Sequence, residues 1–413
     1  MNGSRYNLKR LRGALMAGLG VGLAVTAIHS CATFLPERMF KPDFAHFYLS
    51  AGLLRRGTDV YAVPLHEYAR HIGFPTTDLM ERETNPPFLM WLLRPLAAVP
   101  IATAFWCYVT IEVASLVVIF GIAWHVIRGR LSAGAWTLAL GLTLFSYPVL
   151  YHLWLSQVQL PLLAVVMLGY WLWRRGWNGW AIVAFALAGT AKLFPLVFVP
   201  LPALAERGRE RLRLSALAFA AVLGFATVAT ASAWISFFNH ALPLLQTFAE
   251  RVRSNYTVPF LIGRLSEGML PVPGFALVAE MTSAVAVGGF AWWCCSRASR
   301  PKTAVNQDSA FCLLLVASLV ASPIAWAHYF VFMIYPLLRV SAEIAPARGL
   351  QRVWLVVLVV VSLLAFNTAD TEPVITVSRW LSVAANNAPV FVLGLLYLHF
   401  ARLTVRQPAG VDT

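Results

Sequence analysis

Residues 41–62, KPDFAHFYLSAGLLRRGTDVYA, carry the first side chains suited to acid–base chemistry. A helix that begins near Asp43 would place His46 and Ser50 on the same face as this acid, at offsets of three and seven residues. A carboxylate partly withdrawn from water gains proton affinity and can act as a general base. Asp43 also suits the first turn of a helix, where an acid interacts favourably with the backbone dipole. The spacing leaves a structural and a catalytic interpretation of Asp43 equally open.

A second set of polar side chains stands at the ends of apolar segments. It consists of Asn85, His152, Ser156, Gln157, Lys192, Arg251, Arg253, Asn255, Arg264, Glu267, Trp326 and His328. Basic side chains that accumulate on the outer side of a membrane run against the usual inward bias of Lys and Arg. Such an accumulation indicates an anionic ligand, such as a phosphate or pyrophosphate group. Snorkelling of individual arginines to the membrane interface is the competing explanation.

Glu112 and Glu280 are acids inside long apolar segments. Ionisable groups at such positions are costly, and they commonly mark a functional pathway. Each could equally pair with a buried polar neighbour. Together with Lys192 they would be the pathway charges of a transporter or lipid flippase, which is the main alternative class of function. The sequence shows no inverted repeat, a feature that this class commonly has.

The composition indicates that membrane helices position these residues. The chain has 413 residues, of which 59% are hydrophobic and 12% are charged. Soluble domains carry about 25% charged residues, so a soluble enzyme is excluded. The formal charge of +14 lies in short runs between apolar segments, as the positive-inside rule predicts and nucleic-acid binding does not. The five cysteines lie in or beside apolar segments without CxxC spacing, so neither a disulfide framework nor a metal site is expected.

The alternation of apolar runs and basic clusters predicts an all-α, polytopic membrane protein with about 12 crossings. The predicted spans are 13–35, 101–127, 131–150, 157–173, two short helices that meet near residue 192, 214–236, 273–296, 308–322, 324–338, 353–367 and 388–404. The first apolar run follows four basic residues and is too long for a cleaved signal peptide. We therefore expect an uncleaved signal anchor, with both termini of the chain in the cytoplasm.

Lys192 lies near the middle of an apolar stretch whose two ends are both basic. A single helix would place this side chain in hydrocarbon, at a cost of about 2.5–3.5 kcal/mol. Two short helices that meet near Lys192 satisfy the charge rule at both ends and bring the ammonium group to the outer side. We therefore predict a helical hairpin here.

The predicted topology leaves the segments 36–100, 237–272 and 368–387 outside the membrane. The first of them should hold amphipathic helices that lie on the membrane surface with the apolar side down. Residues 85–100 are predicted to be interfacial or re-entrant, because proline pairs and an arginine make a poor lipid-facing helix. We find no fixed-period repeat and no soluble domain, so residues 1–413 are expected to form a single integral membrane domain.

Six blocks along the chain resemble, in order, the motifs of glycosyltransferase family 87, in the C-type membrane glycosyltransferase superfamily. They are PDFAHFYLSAGLLRRGTDVYA (42–62), NPPFLMWLLRPLAAVP (85–100), LSQVQLPLLAVVML (155–168), GTAKLFPLVFVPL (189–201), SNYTVPFLIGRL (254–265) and SPIAWAHYFVFMIYPLL (322–338). Each block is weak alone, and their order gives the resemblance its specificity. Ser156 stands where the family usually has Gly, and Tyr256 where it usually has Gln.

The resemblance implies a C-type fold and the transfer of a hexose, mannose-like, from a polyprenyl-phosphate-linked donor. The acceptor would be a lipid or glycan on the extracytoplasmic side of the plasma (inner) membrane. Asp43 would be the general base that takes the proton of the acceptor hydroxyl. Lys192, Arg264 and His328 would bind the donor phosphate. The further substrate-binding candidates are His46, Tyr48, Tyr61, Asn85, Gln157, Asn255 and Trp326.

The resemblance also implies that no cofactor is needed and that a divalent cation is not essential, and the sequence agrees, because no second carboxylate accompanies Asp43 at ligand spacing. The expected partners are the donor, the acceptor and membrane lipids, without nucleic acid. A transporter or flippase and a non-catalytic assembly factor stay as alternatives. A large separation of Asp43 from His328 in the folded chain would favour those alternatives.

Overall fold

The computed structural model describes residues 2–40, 42–75, 82–244, 255–262, 275–298, 304–322, 324–367 and 387–405. These residues are predominantly helical and contain no strand. The helices are α1 (Asn2–Arg38), α2 (Pro42–Arg55), α3 (Leu65–His71), α4 (Pro87–Leu93), α5 (Ile101–Ile127), α6 (Ala133–Phe145), α7 (Tyr147–Leu155), α8 (Gln159–Arg174), α9 (Asn178–Ala191), α10 (Leu201–Leu204), α11 (Gly208–Ala226), α12 (Ala231–Ser236), α13 (Phe275–Ala298), α14 (Ala304–Val320), α15 (Ile334–Ile344), α16 (Gly349–Asn367) and α17 (Ala388–Val405). Short 3₁₀ segments span Arg94–Ala98, Phe194–Phe198 and Ala327–Met333.

Four helical stretches in the described part of the chain are long and apolar enough to cross a membrane. They are Arg10–Thr33, Ile101–Ile127, Gly349–Asn367 and Ala388–Val405. Two bent pairs raise the number to six, since α6 meets α7 at 48° and α11 meets Ala231–Leu244 at 88°. An all-helical chain with several candidate spans is thus confirmed, and the count of about 12 crossings stays a prediction.

Several helix boundaries coincide with the predicted spans. Helix α5 has the same bounds as the span 101–127, and α17 extends the span 388–404 by one residue. Pro100 directly precedes α5, where the absent N–H of a proline favours a helix start. The length of the apolar runs, the prolines and the basic residues were therefore sufficient to predict the bounds of these helices.

The predicted span 131–150 is instead two helices that meet at Ser146. Ser146 has an extended backbone, with ψ 142°, and Pro148 lies in the first turn of α7. Proline cannot donate the backbone hydrogen bond that would continue α6 through this point. The resulting bend sets the direction of α7, which ends two residues before Gln157.

Glycines hold α1 against α6 at close range. A Cβ atom at Gly141 would collide with the backbone oxygen of Gly20, and one at Gly20 would collide with that of Thr137. Small residues allow helix backbones to approach closely within a membrane. The contact anchors the first helix to the bent α6–α7 pair.

The predicted break at Lys192 is confirmed. Helix α9 ends at Ala191, and Lys192 has an extended backbone with φ −151° and ψ 112°. The chain then turns back along α9, so that a Cβ atom at Gly189 would lie 2.7 Å from the side chain of Leu196. The break leaves Lys192 at the tip of two short helical pieces.

Helix α2 differs from the amphipathic surface helix that we predicted. Its apolar side chains Phe44 and Phe47 are 0% and 1% exposed, and its polar side chains His46 and Ser50 are also only 3% and 0% exposed. The helix packs against α4, α5 and α7. Neighbouring helices therefore cover the polar face of α2 as well as its apolar face, while its position at the membrane surface stays a prediction.

Candidate active site

The first turn of α2 places Asp43 among groups from distant parts of the sequence. The side-chain amide of Gln157 donates a hydrogen bond to the Asp43 carboxylate, and His46, Lys192 and Glu83 act on it electrostatically. Burial raises the pKa of Asp43, while the bond from Gln157 and the electrostatic effects of His46 and Lys192 oppose the rise. Asp43 itself stays partly exposed. The site thus contains an acid whose proton affinity is above that of an ordinary surface aspartate.

A left-handed residue at the end of α7 brings Gln157 to Asp43. Ser156 has φ 53° and ψ 54° and is fully buried. Glycine adopts this conformation without steric cost, and helices often end on it. This left-handed conformation explains why the motif that the LSQVQ block resembles usually has glycine at the position of Ser156.

Lys192 is held by two contacts at the break after α9. Its Nζ donates a hydrogen bond to Oδ1 of Asn85 at 3.0 Å and lies 5.4 Å from the centre of the Tyr329 ring. A lysine ammonium carries three N–H donors, and the bond to Asn85 uses one of them. A partly buried cation with remaining donor capacity is well suited to an anionic group.

Asn85 is fixed by three further hydrogen bonds. Its backbone N and its side-chain Nδ2 both donate to Oε1 of Glu83, at 2.7 and 2.9 Å. The hydroxyl of Tyr61 donates to the backbone oxygen of Asn85 at 2.7 Å. Burial raises the pKa of Tyr61, which keeps this hydroxyl a donor. Tyr61, a predicted substrate-binding residue, therefore helps to fix the backbone of Asn85.

His46 faces acceptors with both ring nitrogens. Its Nδ1 lies 3.6 Å from Oε2 of Glu83, and its Nε2 lies 3.2 Å from the backbone oxygen of Arg82. Glu83, which contacts His46 and Asn85, was not among the predicted site residues. Its position two residues before the NPP block was the available signal.

His328 is 3% exposed, and within the described ranges neither of its ring nitrogens makes a hydrogen bond. Its ring lies 6.0 Å from that of Tyr151 and 5.6 Å from that of Trp326. Lys192 acts electrostatically on His328 as well as on Asp43. Asp43 and His328 therefore share Lys192 as an electrostatic neighbour.

Glu112 and His152 form a buried pair, with 3.4 Å between Oε1 and Nε2. Tyr108, one turn before Glu112 on α5, lies within electrostatic reach of both Glu112 and Asp43. Glu112 thus belongs to the surroundings of the site. Glu280 lies on α13, which packs mainly against α14 and α17.

Three other predicted residues have supporting contacts or lie outside the described chain. The hydroxyl of Tyr48 donates to the backbone oxygen of Val99 at 3.0 Å. This bond ties α2 to the end of the 3₁₀ segment Arg94–Ala98. Asn255 accepts a hydrogen bond from the backbone N of Ala325 at 3.0 Å and so fastens the segment that leads to His328. Arg264 lies outside the described residues.

Across the described parts of the chain, no three His, Cys, Asp or Glu side chains stand close enough together to hold a metal ion. The expectation about divalent cations stays a prediction. Asp43 and His328 both interact electrostatically with Lys192, so the site combines an acid, a cation and a buried imidazole, which are groups suited to proton removal and to binding of an anion.

Comparison with known families matches residues 84–323 to the family model described as Glycosyltransferase family 87. The match covers more than half of the 413 residues. It includes Asn85, Gln157 and Lys192, while Asp43 lies before its start and His328 just beyond its end. Neither the curated proteins nor the solved structures contain a match.

Proposed function

Because the chain belongs to glycosyltransferase family 87, and is therefore a membrane glycosyltransferase, we propose that it transfers a hexose from a polyprenyl-phosphate-linked donor. The acceptor in this proposal is a hydroxyl of a lipid or glycan on the extracytoplasmic side. Family membership decides against the transporter or flippase alternative. The observation that carries the proposal is that Gln157 and Lys192, from two other segments of the chain, act on the carboxylate of Asp43.

In the proposed reaction Asp43 removes the proton of the acceptor hydroxyl. The acceptor oxygen then forms a bond with the anomeric carbon of the hexose, and the bond from that carbon to the phosphate oxygen breaks. The polyprenyl phosphate leaves with the bonding electron pair. A single displacement of this kind inverts the configuration at the anomeric carbon.

Charge develops on the departing phosphate as this bond breaks. Lys192 supplies a positive charge, and His328 supplies hydrogen-bonding capacity that the described residues do not use. Donors that are already in place stabilise such a charge without reorganisation during the reaction. The hydrogen bond from Lys192 to Asn85 supports this arrangement, because it fixes the ammonium group before the donor binds.

Asp43 combines two properties that a general base needs. Burial raises its proton affinity, and Gln157, His46 and Lys192 keep the ionised form accessible. Catalysis by a positioned base contributes about 10²- to 10⁴-fold to a rate. The loss of the carboxylate in Asp43→Asn should lower transfer by a factor in this range.

The test uses membranes that contain the protein and a panel of labelled polyprenyl-phosphate hexoses, with nucleotide sugars as competing donors. Wild type should transfer label from a polyprenyl-phosphate hexose, and Asp43→Asn should transfer it about 10²- to 10⁴-fold more slowly. Glu67→Gln is the matched control, because Glu67 is an exposed acid on α3 in the same predicted outer segment. Transfer from nucleotide sugars alone would overturn the donor assignment, and equal transfer by Asp43→Asn would overturn the base.

A further inference from the structure

Glu83 is a fully buried acid that binds the start of the NPP block. Its Oε1 accepts hydrogen bonds from the backbone N of Thr84 at 2.8 Å, from the backbone N of Asn85 at 2.7 Å and from Nδ2 of Asn85 at 2.9 Å. A carboxylate that accepts several short N–H bonds makes strong, charge-assisted contacts. These bonds fix the backbone and the side chain of Asn85 together.

The bond from Nδ2 determines which end of the Asn85 amide faces Lys192. With Nδ2 on Glu83, the oxygen Oδ1 is directed at Nζ of Lys192, 3.0 Å away. The opposite orientation would place an NH₂ donor against the ammonium and the amide oxygen against the carboxylate, so that both contacts would be repulsive. Glu83 therefore selects the orientation that can hold the cation.

We infer that Glu83 is a positioning residue of the transfer reaction, which holds the Lys192 ammonium in place through the side-chain amide of Asn85. This inference rests on the proposed function, in which Lys192 binds the donor phosphate. Glu83 does not itself touch the reacting groups in this assignment. Its effect should therefore disappear when Lys192 is absent.

The second oxygen of Glu83 faces a different neighbour. Oε2 lies 3.6 Å from Nδ1 of His46 on α2. This contact helps to hold the carboxylate in the orientation in which Oε1 accepts the hydrogen bonds of Asn85. Glu83 therefore reaches the reacting groups through Asn85 and Lys192.

The test is a double-mutant cycle of Glu83→Gln, Lys192→Met and the double variant. The assay measures kcat/KM for the labelled polyprenyl-phosphate hexose that wild type accepts best. Loss of a hydrogen-bonded charge corresponds to about a ten- to hundred-fold decrease for Glu83→Gln, with a larger decrease for Lys192→Met. The double variant should be no worse than Lys192→Met, because residues that act as a unit are not additive. Losses that multiply in the double variant, or wild-type kinetics of Glu83→Gln, overturn the inference.

Two controls separate this inference from folding defects and from the proposed function. Glu67→Gln makes the same change at an exposed position and should leave kcat/KM unchanged. If Glu83→Gln fails to fold, Asn85→Leu takes its place in the cycle. Asn85→Leu removes the hydrogen-bond acceptor of Lys192 and leaves the Glu83 carboxylate in the protein. Multiplying losses in that cycle overturn the inference as well. A wild-type protein that uses no polyprenyl-phosphate hexose contradicts the proposed function instead.

Discussion

Replacement of Ser156 by glycine should preserve transfer and stabilise the protein slightly. Ser156 has φ 53° and ψ 54°, in the left-handed region. A non-glycine residue costs about 1–2 kcal/mol there, while glycine loses about 0.4–1 kcal/mol through the greater freedom of the unfolded chain. The hydroxyl adds little, because its contact with the carbonyl oxygen of Leu153 is 3.5 Å long. The expected net gain lies between zero and about 1.5 kcal/mol.

Ser156→Val is the opposite perturbation at the same position. A β-branched side chain is poorly tolerated in left-handed backbone, and Ser156 is fully buried, so we expect a loss of about 2 kcal/mol or more. This turn brings Gln157 to Asp43, and the variant should therefore also lose transfer activity. Intrinsic fluorescence of the 15 tryptophans follows thermal unfolding, and initial rates of sugar transfer follow the site.

Ser362 provides a matched control, since it is also fully buried but lies within α16. Ser362→Gly should lower the Tm, because glycine costs about 0.5 kcal/mol more than serine in a helix interior and because a 2.6 Å hydrogen bond from the hydroxyl to Leu358 is lost. A fall in the Tm of Ser156→Gly as large as that of Ser362→Gly would contradict the cost assigned to the left-handed backbone at Ser156. Wild-type behaviour of Ser156→Val in both assays would contradict it as well.

Three other perturbations test the base, the helix contact and a buried ion-pair network. Transfer should fall at low pH as Asp43 takes up a proton. Lys192→Met should move this acidic limb of the pH–rate profile to higher pH, because the substitution removes a positive charge that lowers the pKa of Asp43. A limb that stays in place or moves to lower pH would contradict this prediction. Gly141→Leu should lower the Tm through a loss of about 1–3 kcal/mol, because its Cβ collides with the α1 backbone, and an unchanged Tm would mean that the two helices do not touch. Asp308→Ala removes the buried carboxylate that pairs with Arg174 and Arg339 and accepts the hydroxyl of Tyr170. The expected loss of about 3–5 kcal/mol should show as a sharp fall in folded protein on size-exclusion chromatography, which a wild-type elution profile would disprove.

The helical class and many of the helix boundaries could be predicted from the amino-acid sequence. The bounds of α5 and the break at Lys192 follow from apolar length, prolines and basic clusters, which are properties of contiguous residues. Pro148 was also visible in the sequence, and it accounts for the bend that we did not predict between α6 and α7. Such features can be derived locally because they depend on the solubility and backbone geometry of a single segment.

Tertiary structure alone decided how the site is assembled. The hydrogen bond from Gln157 to Asp43 and the one from Lys192 to Asn85 each join residues more than 100 positions apart, and no spacing rule relates such positions. Helix α2 has the pattern of a surface helix, yet both of its faces are covered, since burial depends on which helices pack against it. Glu83 shows the same limit, because an acid acquires a positioning role only from the amide and the cation that the fold brings to it.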